Sequence, residues 1–133
     1  MAVQLGKDSI DIGIVVSDAA KALAFYRDTL GFEHVATTPM GGMTMERLMC
    51  GTTLVKLVVP NKMPEVAAPP GGIMGARGIR YWTITVTNLD EVLASCAAGG
   101  YTVAVPRRTA RPGLDIGIVE DPDGNWVEFI MNT

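Results

Sequence analysis

The sequence predicts an α+β fold made of two βαβββ modules, an eight-stranded mixed sheet curled into a cup with its helices outside. Three observations carry this. In residues 10–16 Ile10, Ile12, Ile14 and Val16 alternate with Asp11, Gly13 and Val15, the period of a strand with one strongly apolar face. A capped helical stretch closing on a glycine follows, and after it come short β-rich runs. The whole pattern then recurs at a near-constant offset: Asp11 to Tyr81 is 70 residues, Gly31 to Gly100 is 69 and Lys56 to Glu128 is 72. Such an offset across a strand, a helix stop and a last strand marks an internal duplication.

In the first strand Ile10, Ile12, Ile14 and Val16 form the apolar set. Ser17-Asp18 supplies N-cap oxygens for a helix to about Leu30, with Ala22, Leu23, Phe25 and Tyr26 as its apolar residues and Gly31 as its stop. A short strand near Phe32–Val35 precedes a hairpin of Met43–Met49 and Thr52–Val59 turning at Cys50-Gly51. Residues 60–78 hold four prolines and four glycines, which fits a linker or a loop over a site. Tyr81–Val86 is the next strand. A helix over Asn88–Ala98 opens with Thr87 and Asp90 spaced as a variant capping box and ends at Gly99-Gly100. Tyr101–Val105 is a short strand, and a hairpin over Leu114–Met131 turns at Asp121-Pro122-Asp123-Gly124-Asn125. One domain over 1–133 is expected, with modules at about 8–60 and 79–133.

Composition narrows the function. The chain has 133 residues, 48% hydrophobic and 19% charged, enough apolar material for a substantial core. Its net charge of -3 offers no basic field for nucleic acid. The single histidine, His34, excludes any site that needs two. Cys50 and Cys96 lack metal-site spacing and read as free thiols of a cytoplasmic protein. No apolar run reaches the length of a membrane span and no targeting segment is visible.

The run Val16-Ser17-Asp18, then Ala24-Phe25-Tyr26-Arg27-Asp28-Thr29-Leu30-Gly31-Phe32, resembles the vicinal oxygen chelate superfamily. So does the closing Glu120-Asp121-Pro122-Asp123-Gly124-Asn125-Trp126-Val127-Glu128-Phe129. That superfamily includes glyoxalase I, extradiol dioxygenases and bleomycin-binding proteins. The resemblance spans Ile10 to Met131 and implies the cup. It also implies four metal-ligand positions, which here hold Asp11, Lys56, Tyr81 and Glu128. Only Glu128 matches the metal-binding pattern, and a protonated lysine cannot ligate a cation. The expectation is therefore a divergent member with no metal and no cofactor.

Period two aims Asp11, Lys56, Tyr81 and Glu128 at the cup interior, with the Lys56 ammonium set among Asp11, Glu128 and the Tyr81 hydroxyl where a cation sits in the metal enzymes. Two readings stay open: a structural ion-pair cluster, or a working site. As a working site the chain is a metal-independent isomerase or lyase on a small carbonyl or aromatic metabolite. Glu128 or Asp11 then moves a proton while Lys56 and Tyr81 hold an oxyanion. The alternative is a non-catalytic binding protein of the bleomycin-resistance type. Trp126 and Arg47 are candidate ligand contacts, with Trp126 able to stack a flat molecule; whether Arg47 or Glu46 faces inward depends on hairpin register. Arg107, Arg108 and Arg111 read as a solvated loop. A homodimer is expected because the sheet leaves uncovered edges, and the partner otherwise is a small molecule, with no nucleic acid and no membrane.

Overall fold

A computed structural model describes residues 1–133 as two compact units, 1–65 and 66–133. In the first unit the strands are β1 (Ile12–Val15), β2 (Glu33–Pro39), β3 (Met43–Cys50) and β4 (Thr53–Pro60), in the order β1-β4-β3-β2. β1 runs parallel to β4, and the other pairs are antiparallel. Helix α1 (Ala19–Leu23) lies between β1 and β2. Asp18 caps it, its carboxylate accepting from the Lys21 backbone N–H at 2.9 Å. The predicted single helix to Leu30 changes character at Ala24: residues Ala24–Thr29 are π-helical. The wider turn leaves Phe25 and Tyr26 fully buried, with their rings edge to face at 4.7 Å. Gly31 takes φ +81, which lets the chain reverse where a side chain would be strained.

Alternation sets the two faces of this sheet. Leu48, Val55 and Leu57 are fully buried on the helix side together with Val16 and Ala22. Each leucine or valine among them contributes about 1.5–3 kcal/mol of burial. Ile10, predicted to join this core, precedes β1 and stands 76% exposed.

The second unit repeats the plan. Its strands are β5 (Tyr81–Thr85), β6 (Val103–Arg111), β7 (Leu114–Glu120) and β8 (Trp126–Asn132), in the order β5-β8-β7-β6, with β5 parallel to β8. Helix α2 (Leu89–Ala98) buries Leu89, Leu93 and Cys96 above Val119, Val127 and Phe129. Gly117 makes room for it, since a Cβ there would stand 2.7 Å from Leu93 Cδ1.

Three local expectations change. The capping box is absent: Asn88 is the N-cap and makes no side-chain cap, its amide instead donating to Glu91 at 3.2 Å. The strand predicted over 101–105 begins at Val103 and runs on to Arg111, so the arginines expected in a loop lie in β6. Arg107 bridges Asp90 of α2 (2.8 Å) and Asp115 of β7 (2.7 Å), tying helix to sheet. Its guanidinium, with a bond from Thr109, holds the Asp115 carboxyl below the usual carboxylate range.

The turn at 121–125 forms as expected and has a clear cause. Asp121 is buried, and its carboxylate accepts from the backbone N–H groups of Asp123 (2.9 Å) and Asn125 (2.8 Å) and from the Asn125 amide. No helix is long and apolar enough to cross a membrane.

Candidate functional site

The candidate residues lie on the sheet faces turned away from the helices. In the first unit the register Arg47↔Lys56, Met45↔Val58 and Met49↔Leu54 puts these six side chains on one face, since directly paired residues point the same way. Gly13 of β1 pairs with Lys56, so no side chain stands on that flank of the ammonium. Met45, Met49, Leu54 and Val58 are half-buried and Met43 lies at the exposed limit.

Register also decides between Glu46 and Arg47. Arg47 lies with Lys56. Glu46 points to the helix side and is 6% exposed. Its Oε2 accepts from His34 Nε2 at 2.6 Å and from the Thr37 hydroxyl at 2.6 Å, both on β2. The one histidine therefore serves to satisfy a buried carboxylate.

Asp11 falls just before β1. Lys7, outside every regular element, donates to Asp11 Oδ1 at 2.5 Å, and the Leu54 N–H donates to the same oxygen at 2.9 Å. These two bonds, the lysine's first, hold the Asp11 carboxyl below the usual range, and the field of Lys56 is the least of the influences. The ion pair expected between Asp11 and Lys56 is thus replaced by one with Lys7, a residue to which the sequence assigned no role. Lys56 and Arg47 form no ion pair; Arg47 donates only to Met45 Sδ, at 3.8 Å.

In the second unit Glu128 pairs across to Thr83 on one side and to buried Ile118 on the other. The Thr83 hydroxyl donates to Glu128 Oε1 at 2.7 Å, a contact that sequence reasoning missed although the alternation of β5 points Thr83 to that face. Tyr81 is paired with Trp126, two residues from the Glu128 level, and is 43% exposed.

Trp126 is less available than expected. Its indole N–H donates to Glu120 at 3.1 Å. The loop residue Gly72, which opens a single 3-10 turn over Gly72–Met74, lies flat on its ring: a Cβ at Gly72 would stand 2.3 Å from Trp126 Cδ2 and Cε2. Arg80 clamps this loop, donating to the Gly72 carbonyl at 2.7 Å and the Pro69 carbonyl at 2.5 Å. A cleft of only about 40 Å³ remains between Arg80, Ala68, Pro69 and the Asp123–Asn125 turn. The proline- and glycine-rich segment is therefore in part a cover on the second sheet.

No three His, Cys, Asp or Glu side chains come together in a way that holds a metal ion. The donors do not suit one either: the fourth-strand position carries an ammonium and its β1 neighbour is a glycine.

The family model for the Glyoxalase/Bleomycin resistance protein/Dioxygenase superfamily matches residues 10–129. The chain belongs to this superfamily. Among solved structures it is similar to a superfamily member from Sphaerobacter thermophilus DSM 20745, at 26% identity and TM-score 0.74 over 96% of this chain and 100% of that one. It is also similar to TnmS3, an antibiotic binding protein from Streptomyces sp. CB03234, at 21% identity and TM-score 0.69 over 98% and 100%. The trypanothione-dependent glyoxalase I of Leishmania major matches at 18% identity and TM-score 0.70, over 95% and 87%. The last two likenesses are of fold alone. No curated protein matches the chain in sequence. The superfamily member described here lacks a metal-holding cluster and carries Lys56 at the fourth-strand position.

Proposed function

We propose that the chain is a small-molecule-binding protein that grips a mainly apolar ligand on the open face of its first sheet without a resident metal. The carrying observation is the row Met43, Met45 and Met49 of β3 beside Leu54 and Val58 of β4, part-exposed on the face opposite the helix. Methionine is unbranched and polarizable, so such a surface moulds to varied shapes. That an antibiotic binding protein has a similar fold supports binding as a use of this scaffold. Action in the cytoplasm fits free Cys50 and Cys96. A homodimer fits the exposed apolar side chains of Ile10, Val66, Met74 and Ile79.

Nile red, neutral and apolar, tests the reading. Its emission should rise saturably with native protein, and Met45→Glu should remove the rise while leaving the melting curve cooperative. Absence of saturable binding rejects the reading.

Isomerase or lyase activity is the second reading, and one observation favours it. Thr83 pins one oxygen of Glu128, giving a positioned carboxylate suited to take up and return a proton, with Tyr81 of the adjoining β5 as a candidate oxyanion partner. Deuterium exchange next to the carbonyl of small ketones in heavy water, followed by proton NMR, should then depend on Glu128. In Glu128→Gln it should vanish while Nile red binding persists.

A further inference from the structure

Arg47 and Lys56 stand directly opposite each other across β3 and β4. Like charges at that position repel and destabilise a sheet. Nothing within the first unit relieves them. Neither forms an ion pair, and the nearby acid, Asp11, is already engaged by Lys7 and the Leu54 N–H. Glu46, one residue from Arg47, faces the other side and is held by His34 and Thr37. Around the two cations on their own face the register places Met45, Met49, Leu54 and Val58, with Ala36 beside Arg47 and Gly13 beside Lys56. Two half-buried cations with no counter-ion, framed by apolar side chains, describe one half of a complementary pair.

We infer that Arg47 and Lys56 form an anion clamp, and that the ligand is a small carboxylate with an apolar body. This rests on the binding reading above and specifies the ligand's chemical class. Guanidinium presents two parallel N–H donors that match the two oxygens of a carboxylate, and the ammonium adds a third donor from the neighbouring strand. A single diffuse charge costs less to bring onto a half-apolar face than the strongly hydrated charge of a phosphate. The apolar body then lies on the methionines. Gly13, with no side chain, leaves space beside Lys56.

Calorimetric titration of the purified protein with 1-naphthoate, 1-naphthamide and inorganic phosphate tests this without any variant. Naphthoate should bind about tenfold or more tightly than its neutral amide, the range expected for hydrogen bonds to charged groups. Phosphate alone should show no binding at millimolar concentration. Lys56→Met and Arg47→Met should each lower the ratio of naphthoate to naphthamide affinity, and Arg47→Lys should recover part of what Arg47→Met loses. Equal binding of acid and amide, with Nile red still bound, overturns the clamp and leaves the small-molecule reading standing. Phosphate binding as tight as naphthoate overturns the carboxylate class. If neither naphthyl compound nor Nile red binds, both inferences fall.

Discussion

Replacing Gly72 by alanine tests whether the loop covers Trp126. Gly72 has φ +57, the left-handed region, where an alanine costs about 1–2 kcal/mol. The new methyl would also sit 2.3 Å from Trp126 Cδ2 and Cε2 and 2.4 Å from Cε3. No side chain approaches so closely, so ring or loop must move. Forced overpacking of this kind costs about 1–3 kcal/mol. The sum is roughly 2–5 kcal/mol. It is bounded by the cost of peeling the loop away, which breaks the Arg80 bonds to the Gly72 and Pro69 carbonyls. Those bonds involve a charged donor and contribute about 1.5–3 kcal/mol each, less where water competes. For a chain of this size the melting temperature should fall by about 7–18 °C. The mechanism is isolated by repeating the change in Trp126→Leu. With the indole gone only the left-handed strain remains, so Gly72→Ala should there cost about 1–2 kcal/mol, a coupling of about 1–3 kcal/mol between the two sites. Denaturant melts of the four proteins read this directly. An equal cost in both backgrounds refutes the claim that Gly72 lies on the ring.

Three further outcomes follow from named contacts. His34→Ala removes one of the two donors to buried Glu46 and should cost about 1–3 kcal/mol in urea melts, whereas His34→Ala with Glu46→Leu should recover most of it. Asp11 has its pKa lowered from 3.8, chiefly by Lys7, so its contribution to stability is present above that value and is lost as pH falls through the lower folded-state value. Lys7→Met should therefore move the Asp11 carboxyl titration upward toward 3.8, seen by carbon-detected NMR, and an unmoved titration refutes the Lys7 contact. Burial pushes the Cys96 thiol up to about 11 and raises Cys50 as well, so a thiol reagent at neutral pH should label Cys96 only on unfolding. Rapid labelling of Cys96 in the native protein would contradict its place on the buried face of α2.

Most of the fold was legible because its signals are local. The alternation of 10–16, the Asp18 cap, the Gly31 stop and the Asp121 turn each act within a few residues, and all but the Ile10 end of that alternation appear where the pattern puts them. The motifs Val16-Ser17-Asp18 with Ala24–Phe32, and Glu120–Phe129, pointed to the superfamily because they join packing residues to turn chemistry in one order. The departure at the fourth-strand position was legible too, since a protonated lysine offers a divalent cation nothing whatever its surroundings.

What the sequence could not reveal is which partner each polar group takes, because that is settled by residues far apart in the chain. Glu46 and Arg47 are neighbours on one strand, and a one-residue slip exchanges their faces. The hairpin register and the His34–Thr37 donors of β2 commit Glu46 to the core and leave Arg47 beside Lys56. Asp11 looked like the natural partner of Lys56 and instead took Lys7, four residues away, together with a free N–H at the start of β4. Trp126 read as an open stacking surface until Arg80 drew the Pro69–Gly72 loop across it. Local pattern thus determined most of the strands and helices and the ammonium at the fourth-strand position. Only the tertiary structure decided which charges are neutralised and which aromatic is covered, because hydrogen bonds and ion pairs form between whatever groups the fold brings within about 3 Å, irrespective of their distance in sequence.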